Sequence, residues 1–561
     1  METKRTKRFN LYSAILGWKA MKLYNTMTRR KEEFVPLEDK VVRIYTCGPT
    51  VYDYPHIGNL RAFVFWDLLR RWLKYRGYKV IQVTNITDVD DKTIRGARRE
   101  GVPLHKYTEK YIKAFFENIE ALNIEKAEYY PRATEHIQDM VKFIKKLMEK
   151  GYAYRGEDGS IYFDISKFKD YGKLSKIKVE KLKPGARVKS DLYGKEEARD
   201  FALWKAWDEE DGDVFWETEI GKGRPGWHIE CSVMAMKYLG ETIDIHCGGV
   251  DLIFPHHENE IAQSEALTGK TFVRYWVHNE LLMVEGQKMA KSLGNYYTLK
   301  DLLDKGYSAK AIRFLLLSAH YRQPLNFTFK GLEAAEKAVE RLQIFMDRLK
   351  TANGTGCGKE IEELMQKVKR EFEEAMDDDL DINTALASLF NFVREVNRLI
   401  DQKKLSKEEA RKVRDLMLNF DKVLGVIGEE EEKPEELPKE IMELIQKREE
   451  ARKRKDWKTA DEIREKLRKM GIILEDTPEG VKWRKVKNSH LSTLKVTSAE
   501  KIFLTVPLLN LMINHPFLSM SWATPSIFSP QQESCTLQLR MHESFFHSLK
   551  IRLTFPFLKF S

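Results

Sequence analysis

The stretch 'YTCGPTVYDYPHIGNLRAF', residues 45–63, joins a predicted strand to a predicted helix through a turn that contains glycine. The strand is 'VVRIYTCG' (41–48), and the helix carries apolar residues at helical spacing up to a stop at Gly77. A buried strand, 'YKVIQVTNIT' (78–87), follows. Strand, helix and strand in this order predict a parallel βαβ unit.

A second unit of the same kind lies much further along the chain. It consists of a strand 'IDIHCGG' (243–249), a helix 'PHHENEIAQSEALTG' (255–269) and a strand-like 'VRYWVHNELLMV' (273–284). Ligands of open α/β sheets bind where the strands end, so we expect the loops of both units to face one crevice. The residues between the units look like an insertion with a hairpin turn at Asp158-Gly159. After Tyr297 the pattern is mostly helical.

Composition limits the possible classes of protein. The chain has 561 residues, with 96 Lys+Arg against 86 Asp+Glu, a mild excess that is compatible with a polyanionic partner. Five widely spaced cysteines do not make a disulfide framework, which favours a reducing compartment and cysteines that act as thiolates or metal ligands. A transit peptide at residues 1–20 is a weaker alternative, and the apolar patch at 502–520 is a poor membrane span.

Two short motifs suit a nucleotide. In 'HIGN', Gly58 opens a helix whose unpaired N–H groups, with His56 as a further donor, suit phosphate oxygens. In 'GQKMAKSLGN' (286–295), Lys288 and Lys291 lie in a glycine-flanked loop where they would neutralise a leaving pyrophosphate. Each motif alone has an ordinary alternative. For 'HIGN' it is a plain strand-to-helix turn, and for the lysine loop it is a solvated basic loop.

Together and in this order the two motifs resemble the 'HIGH' and 'KMSKS' signatures of class I aminoacyl-tRNA synthetases. The chain resembles the cysteinyl-tRNA synthetases in particular, from Leu23 to Arg484. The motifs that carry this resemblance are 'GPTVYDYPHIGNLR', 'NITDVDDK', 'GRPGWHIECS', 'DIHCGGVDLIFPHHENEIAQSEA' and 'AMDDDLDINTAL'. Asn59 replaces the second histidine of 'HIGH', and Ala290 replaces the serine of 'KMSKS'. Because an Asn amide still donates hydrogen bonds and both lysines remain, we expect activity.

The resemblance implies a zinc site, one per chain, formed by Cys47, Cys231, His256 and Glu260. The chemistry agrees, because soft thiolates and an imidazole suit zinc, and two residues four apart on a helix share a face. The alternative for 'PHHENE' is a polar helix start with Glu258 near the N-terminal dipole. We interpret Cys247 as a small packed residue.

The resemblance also assigns the remaining site residues. Gly48, Thr87, Trp227 and His246 match positions around the bound cysteine, although Trp227 is equally suited to be a core aromatic. Asp251, together with His56, Gly58, Asn59, Lys288 and Lys291, matches the site for ATP, which binds with magnesium. Near the C-terminus, Lys453, Arg454 and Trp457 match the anticodon-reading region, and the alternative is an amphipathic helix pair with a solvated face.

The implied fold is α/β: a Rossmann-like parallel-sheet catalytic domain with an inserted connective domain, followed by a mostly α-helical C-terminal anticodon-binding region. The expected layout is an N-terminal extension (1–20), the first catalytic half (21–104), the connective insertion (105–215), the second catalytic half (216–300), stem-contact helices (301–345), a helical bundle (346–428), an acidic linker (429–440), the anticodon-binding domain (441–486) and a C-terminal extension (487–561).

The implied function is a cysteine–tRNA ligase that makes cysteinyl-adenylate from L-cysteine and ATP and passes cysteine to the 3′ end of tRNA(Cys). We expect a cytoplasmic monomer without a membrane partner. Two alternatives are a ligase that joins cysteine to an amino sugar and a tRNA-binding relative without catalysis. The basic helices after residue 440 argue against the first, and the intact set of site residues argues against the second.

Overall fold

The computed structural model describes residues 20–177, 187–188, 200–428, 439–454, 456–470, 472–477 and 480–485. The expected N-terminal extension up to residue 19, the acidic linker up to residue 438 and the C-terminal extension lie outside the described residues. The strands are β1 (Lys22–Asn25), β2 (Arg30–Glu33), β3 (Val41–Thr46), β4 (Lys79–Thr84), β5 (Ala153–Arg155), β6 (Ile161–Phe163), β7 (Arg187–Val188), β8 (Asp200–Ala206), β9 (Gly223–Pro225), β10 (Ile243–Gly249), β11 (Val273–Asn279), β12 (Leu282–Val284), β13 (Gln287–Lys288), β14 (Leu325–Phe327), β15 (Ile472–Thr477) and β16 (Gly480–Lys485).

The described helices follow the same chain order. They are α1 (Ile57–Tyr75), α2 (Asp91–Glu100), α3 (Leu104–Ala121), α4 (Ile137–Glu149), α5 (Trp227–Leu239), α6 (Glu258–Thr268), α7 (Leu299–Asp304), α8 (Ala309–Leu317), α9 (Phe329–Thr351), α10 (Lys359–Asp377), α11 (Ile382–Asp401), α12 (Lys407–Leu424), α13 (Lys439–Lys453) and α14 (Trp457–Lys469).

A four-stranded parallel sheet forms the centre of the catalytic region, in the order β11-β10-β3-β4. The two predicted βαβ units therefore lie side by side, with β10 of the second unit paired to β3 of the first. Val42 and Ile44 of β3 are buried beneath the apolar face of α1. The α/β class predicted from the sequence is confirmed, and the carboxyl ends of β3 and β10 meet at one edge of the sheet.

The insertion carries its own sheet, in the order β5-β6-β8-β7, with β9 paired to β8. The predicted hairpin at Asp158-Gly159 is confirmed, because β5 and β6 are antiparallel and Gly159 takes the left-handed φ of +81° that such a turn requires. Since β9 pairs with β8, this sheet continues to Pro225, beyond residue 215, where the sequence places the end of the insertion. The α5 helix, which follows at Trp227, thereby connects the insertion to the central sheet.

A buried guanidinium joins the catalytic region to the helical region after it. Arg313 of α8 lies 2.5 Å from Asp67 Oδ2 of α1, and its Nε donates to the Leu424 carbonyl at the end of α12 at 2.7 Å. Its Nη1 donates to the Leu122 carbonyl at 2.9 Å. Both Asp67 and Arg313 are almost fully buried, so this fork-shaped donor fixes the three segments against each other.

Candidate active site and metal centre

Four buried side chains meet beside the carboxyl ends of β3 and β10. Cys47 follows β3 directly, Cys231 lies in α5, and His256 and Glu260 flank the start of α6. Their ligand atoms all lie within 4.8 Å of one another. The structure therefore brings together the four residues that the resemblance nominated for zinc.

The spacing of these atoms suits a tetrahedral ion. The Cys47 and Cys231 Sγ atoms lie 3.8 Å apart, and two sulfurs bound at about 2.3 Å to a tetrahedral zinc lie about 3.8 Å apart. His256 Nε2 lies 3.0 Å from Glu260 Oε1, and Cys47 Sγ lies 3.8 Å from the same oxygen. The donor set, two thiols with an imidazole and a carboxylate, fits zinc in both chemistry and size.

A second group shares two of these residues. Cys47 and Glu260 also lie within 4.8 Å of His246 and His257. However, His257 Nδ1 is hydrogen-bonded to His278 Nε2 at 2.7 Å, and His246 Nε2 contacts Glu260 Oε2 at 2.8 Å. We interpret these histidines as support for the first group, because His246 orients the Glu260 carboxylate and His257 Nε2 lies 3.3 Å from Cys47 Sγ. The sequence prediction did not include His257, although the adjacent histidines of 'PHHENE' were the signal.

His256 is held from two sides. Its Nδ1 lies 3.0 Å from His228 Nδ1, and the Trp227 ring stacks on it at 4.2 Å between centroids. Among the described residues, His228 Nε2 and His246 Nδ1 are buried polar atoms without a hydrogen-bond partner. Buried polar atoms of this kind point to a ligand or an ion. Trp227 is half-buried, and its ring contacts His228 as well as His256.

The ionisable groups of the cluster shift one another's pKa values. Burial alone would raise the pKa of Glu260, but His246 and His256 outweigh it and lower that pKa to about 2. Burial lowers the pKa of His256, yet the Cys231 and Glu260 anions raise it to about 10. Burial raises the pKa of Cys231, but the hydrogen bond from Cys47 and the positive charge of His256 bring it down to about 6. These shifts favour an ionised Glu260 and a Cys231 thiolate beside a protonated His256.

The nucleotide turn is organised by its own histidine. His56 Nδ1 accepts from the N–H groups of Gly58 at 3.1 Å and Asn59 at 3.3 Å, and Asn59 Oδ1 accepts from the His56 N–H at 3.2 Å. Burial lowers the pKa of His56 to about 4, so the ring is neutral at neutral pH and its proton is on Nε2.

Two of the N–H groups expected to face phosphate are therefore used by the cap, which differs from the sequence expectation. Gly58 is required here because a Cβ would lie 2.9 Å from the His56 ring. The cap does not use His56 Nε2, which is the remaining donor of the ring.

The lysine loop contacts this turn. Lys288 is exposed on β13, and Lys291 begins a short 3₁₀ segment (Lys291–Leu293) and forms an ion pair with Asp53. Asn295 closes the loop, since its Oδ1 accepts from the Ala290 N–H at 2.8 Å and its Nδ2 donates to the Lys288 carbonyl at 3.2 Å. The two signature motifs are thus brought together, and Asp53 is a partner that the sequence prediction did not include.

Gly48, Thr87 and Asp251 each lie shortly after the end of a central strand. A Cβ on Gly48 would lie 1.6 Å from the Asn85 carbonyl oxygen, so only glycine fits beside Cys47. Thr87 Oγ1 donates to Glu230 at 2.8 Å, and burial raises the pKa of this carboxyl well above its usual range. Asp251 is exposed in a 3₁₀ segment after β10.

Two further predictions concern residues outside the metal cluster. Cys247 is fully buried within the hydrophobic core, consistent with a packed residue. Trp457 begins α14 with 59% of its surface exposed, and Arg454 is exposed as well. The side chain of Lys453, at the end of α13, is outside the described part of the chain. The helix pair α13 and α14 shares a small core with β15, formed by Ile441, Ile445, Ile463, Leu467, Ile472 and Leu474.

Three family models match the chain. Residues 33–337 match the class I (C) tRNA synthetase catalytic domain, residues 371–428 match the DALR domain, and residues 435–484 match the cysteinyl-tRNA ligase anticodon binding domain. Among curated proteins, the cysteine–tRNA ligase of Protochlamydia amoebophila is 49% identical over 468 residues, which is 83% of this chain and 98% of that protein. The cysteine–tRNA ligase of Chlamydia felis is 50% identical over 467 residues, with the same two coverages.

Solved structures with little sequence identity share the fold. A Mycobacterium tuberculosis methionyl-tRNA synthetase in complex with methionyl-adenylate aligns with a TM-score of 0.51 at 14% identity, covering 69% of this chain and 90% of that one. An Agrobacterium radiobacter LeuRS in a ternary complex with tRNA and LeuAMS gives a TM-score of 0.52 at 13% identity, with coverages of 70% and 85%. Within the described residues, no helix combines the length and apolarity that a membrane span needs.

Proposed function

The chain belongs to the cysteinyl-tRNA synthetases, a family of class I aminoacyl-tRNA ligases, and from this premise we propose how its residues carry out the reaction. The enzyme joins cysteine to tRNA at the expense of ATP. In the first step the carboxylate of L-cysteine attacks the α-phosphate of ATP, forming cysteinyl-adenylate and releasing pyrophosphate. In the second step a ribose hydroxyl at the 3′ end of tRNA(Cys) takes the cysteinyl group, releasing AMP.

The ligands that we propose for zinc are Cys47, Cys231, His256 and Glu260. The observation that carries this proposal is the 3.8 Å separation of the two thiol sulfurs, with an imidazole and a carboxylate completing the cluster. When bound, zinc supplies a soft acid that takes a thiol as its thiolate and disfavours the hydroxyl of serine. His246 and His228 hold Glu260 and His256 from outside the ligand set, which fixes the direction of their donor atoms.

The walls of the site are proposed to orient the amino acid. Trp227 stacks against His256 and is only half-buried. Gly48 lets the chain pass close to Asn85, so the amino acid can lie beside the turn that follows Cys47. Thr87 is fixed by Glu230, and His246 Nδ1 is a buried polar atom with no partner among the described residues. These contacts set the cysteine carboxylate toward the nucleotide.

ATP is proposed to bind with magnesium at the 'HIGN' turn. His56 Nε2 donates to a phosphate oxygen, and Gly58 and Asn59 keep the ring in place. Lys288 and Lys291 neutralise charge on the leaving pyrophosphate, which requires Lys291 to exchange its carboxylate partner for phosphate. Asp251, exposed beyond β10, is proposed to contact the adenylate.

The C-terminal helices are proposed to contact the anticodon of tRNA(Cys). The exposed ring of Trp457 is suited to stack on an unpaired base, and Arg454 and Lys453 add positive charge. The match of residues 435–484 to an anticodon-binding model speaks against an amino-sugar acceptor. The family resemblance further predicts a monomer that acts in the cytoplasm, which light scattering and microscopy of a tagged chain would test.

The proposal is tested by three measurements on the purified chain. Mass spectrometry should find one zinc per chain. Pyrophosphate exchange should depend on cysteine and not on serine, and purified tRNA(Cys) should be charged. Exchange without charging of any tRNA would support a different acceptor. A protein without bound zinc that discriminated cysteine from serine by much more than about 200-fold would contradict the metal assignment.

A further inference from the structure

Asp53 occupies the space between the two signature loops. It lies three residues before His56, and its carboxylate forms an ion pair with Lys291 of the lysine loop. The Asp53 side chain is 25% exposed, whereas that of Lys291 is 65% exposed. The carboxylate is thus the more confined member of the pair, and the lysine is the member free to move.

The local backbone fixes the direction of the Asp53 carboxylate. Asp53 Oδ1 accepts from the Tyr54 N–H at 2.8 Å, which leaves Oδ2 for Lys291. The same segment is tied to the end of the lysine loop, because Tyr296 donates its hydroxyl to the Tyr54 carbonyl at 3.3 Å. The Lys291 ammonium also lies 5.0 Å from the centroid of the Tyr296 ring. The Lys291 ammonium therefore meets a carboxylate, that of Asp53, and an aromatic ring, that of Tyr296, which other hydrogen bonds already hold in position.

The pair lies directly beside the ring that caps α1. After burial, the Asp53 and Lys291 charges are the next influences on the pKa of His56, and they act in opposite directions. The His56 ring also meets the Tyr296 ring edge-on at 5.2 Å. A phosphate that reached His56 would therefore lie close to both charges, and it would attract Lys291 and repel Asp53.

We propose that Asp53 is a positioning residue for the lysine loop, holding Lys291 beside the nucleotide turn until the phosphates of ATP displace its carboxylate. This inference rests on the proposed function, because it takes ATP as the ligand of the turn. In the free enzyme the ion pair keeps the loop near its working position. When ATP binds, the ammonium exchanges one anion for another over a short path. Asp53 thereby keeps the mobile Lys291 side chain close to the place where the phosphates bind. At the same time its carboxylate competes with the phosphates of ATP for the lysine.

The test compares Asp53→Asn with a matched charge change elsewhere. Asn keeps an Oδ1 acceptor for the Tyr54 N–H, removes the charge and replaces the Oδ2 acceptor that faces Lys291 with an amide donor. Asp304→Asn is the control, since Asp304 forms an exposed pair with Lys300 one helical turn away in α7. Two readouts are used: the rate of trypsin cleavage after Lys288 or Lys291 in the ligand-free enzyme, and the Kd of a non-hydrolysable ATP analogue measured by calorimetry.

We expect Asp53→Asn to increase the cleavage rate and to tighten binding of the analogue, each by about 1.5- to 5-fold, the range typical of an exposed ion pair. Asp304→Asn should change neither value. In a Lys291→Ala background, Asp53→Asn should leave the Kd unchanged, because a residue that acts through Lys291 has nothing left to hold. Asp53→Glu, which restores the charge, should return cleavage toward the wild-type rate.

Three results would overturn the proposal: unchanged cleavage in Asp53→Asn, unchanged affinity in Asp53→Asn, or a Kd effect that persists in the Lys291→Ala background. Circular dichroism and zinc content confirm that each variant is folded. The cleavage readout needs neither tRNA nor catalysis, so failure of the proposed function would show separately, as an absence of cysteine-dependent exchange in the wild type.

Discussion

Replacing Cys47 by Ala should remove both the metal and most of the selectivity for cysteine. The Cys47 sulfur lies 3.8 Å from Cys231 Sγ and 3.8 Å from Glu260 Oε1, so its loss removes one vertex of the proposed tetrahedron. Cys247→Ala is a matched control. Cys247 is also fully buried and lies on the neighbouring strand, where its backbone carbonyl accepts from the Cys47 N–H at 3.2 Å, but its side chain packs in the hydrophobic core.

The size of the loss in selectivity depends on the contacts with the amino acid that remain after zinc is lost. Losing a residue that only supports a metal ligand costs about 10- to 100-fold in metal affinity, and losing a ligand itself should cost at least as much. Without zinc, cysteine and serine differ in the site only by shape and polarity. Such contacts separate near-isosteric substrates by about 10- to 200-fold in kcat/KM. At 1.36 kcal/mol for each factor of ten, this range corresponds to about 1.4–3.1 kcal/mol. It is the most discrimination that we expect to remain without zinc.

The assay is pyrophosphate exchange driven by cysteine or by serine, together with metal content by mass spectrometry, for wild type and both variants. We expect Cys47→Ala to lose zinc and its cysteine-to-serine ratio of kcat/KM to fall to about 200 or below. Cys247→Ala should keep zinc and the wild-type ratio, with a loss of about 0.5–1.5 kcal/mol in the free energy of unfolding from the smaller side chain. A folded Cys47→Ala protein with stoichiometric zinc and unchanged discrimination would refute the reasoning.

Lys291→Ala should reduce kcat for cysteine-dependent exchange by about 100- to 1000-fold, as for the loss of one donor that acts on a transition state, with little change in the Kd for cysteine. Lys300→Ala is the control, and a higher KM for ATP at unchanged kcat would count against the role of Lys291. Trp457→Ala should weaken tRNA binding by about 5- to 150-fold, the value of one stacked base, and leave exchange unchanged. Equal losses of charging and exchange would mean that Trp457 is structural. Residues 21–486 alone should fold and charge tRNA, because neither extension carries a recognised motif, and a folded but inactive fragment would contradict this.

The sequence predicted those features that local pattern or a long motif specifies. The βαβ units follow from apolar spacing, and the strand predicted at 243–249 is found as β10 (Ile243–Gly249). The helix predicted at 255–269 begins its regular part only at Glu258, because residues 253–257 include Phe254 in an extended conformation. His256 and Glu260 nevertheless remain in contact, since the turn between them keeps a helical advance.

The residues that the sequence did not reveal are those whose roles depend on distant segments. Glu230 accepts a hydrogen bond from Thr87, and Asp53 pairs with Lys291, which lies 238 positions further along the chain. No local pattern encodes such pairs. The 'HIGN' turn was misjudged for a different reason, because two of its N–H groups are used by the His56 ring within the same turn. The period of a sequence predicts a helix, but not which side chain will cap it.

The residues of the candidate metal cluster are synthesised at different times during translation. Cys47 and Glu260 are 213 residues apart, so a ribosome that adds about 5–20 residues per second needs about 10–40 s to pass from one to the other. For most of that interval β3 lacks its neighbour β10, and until Cys231 is made the thiol of Cys47 has none of the cluster partners that later surround it. A nascent chain is therefore open to oxidation or to capture of a wrong metal before the cluster can close. Because the two halves of the site are translated so far apart, assembly of the cluster requires the segments that follow β3 and β10 to have come together.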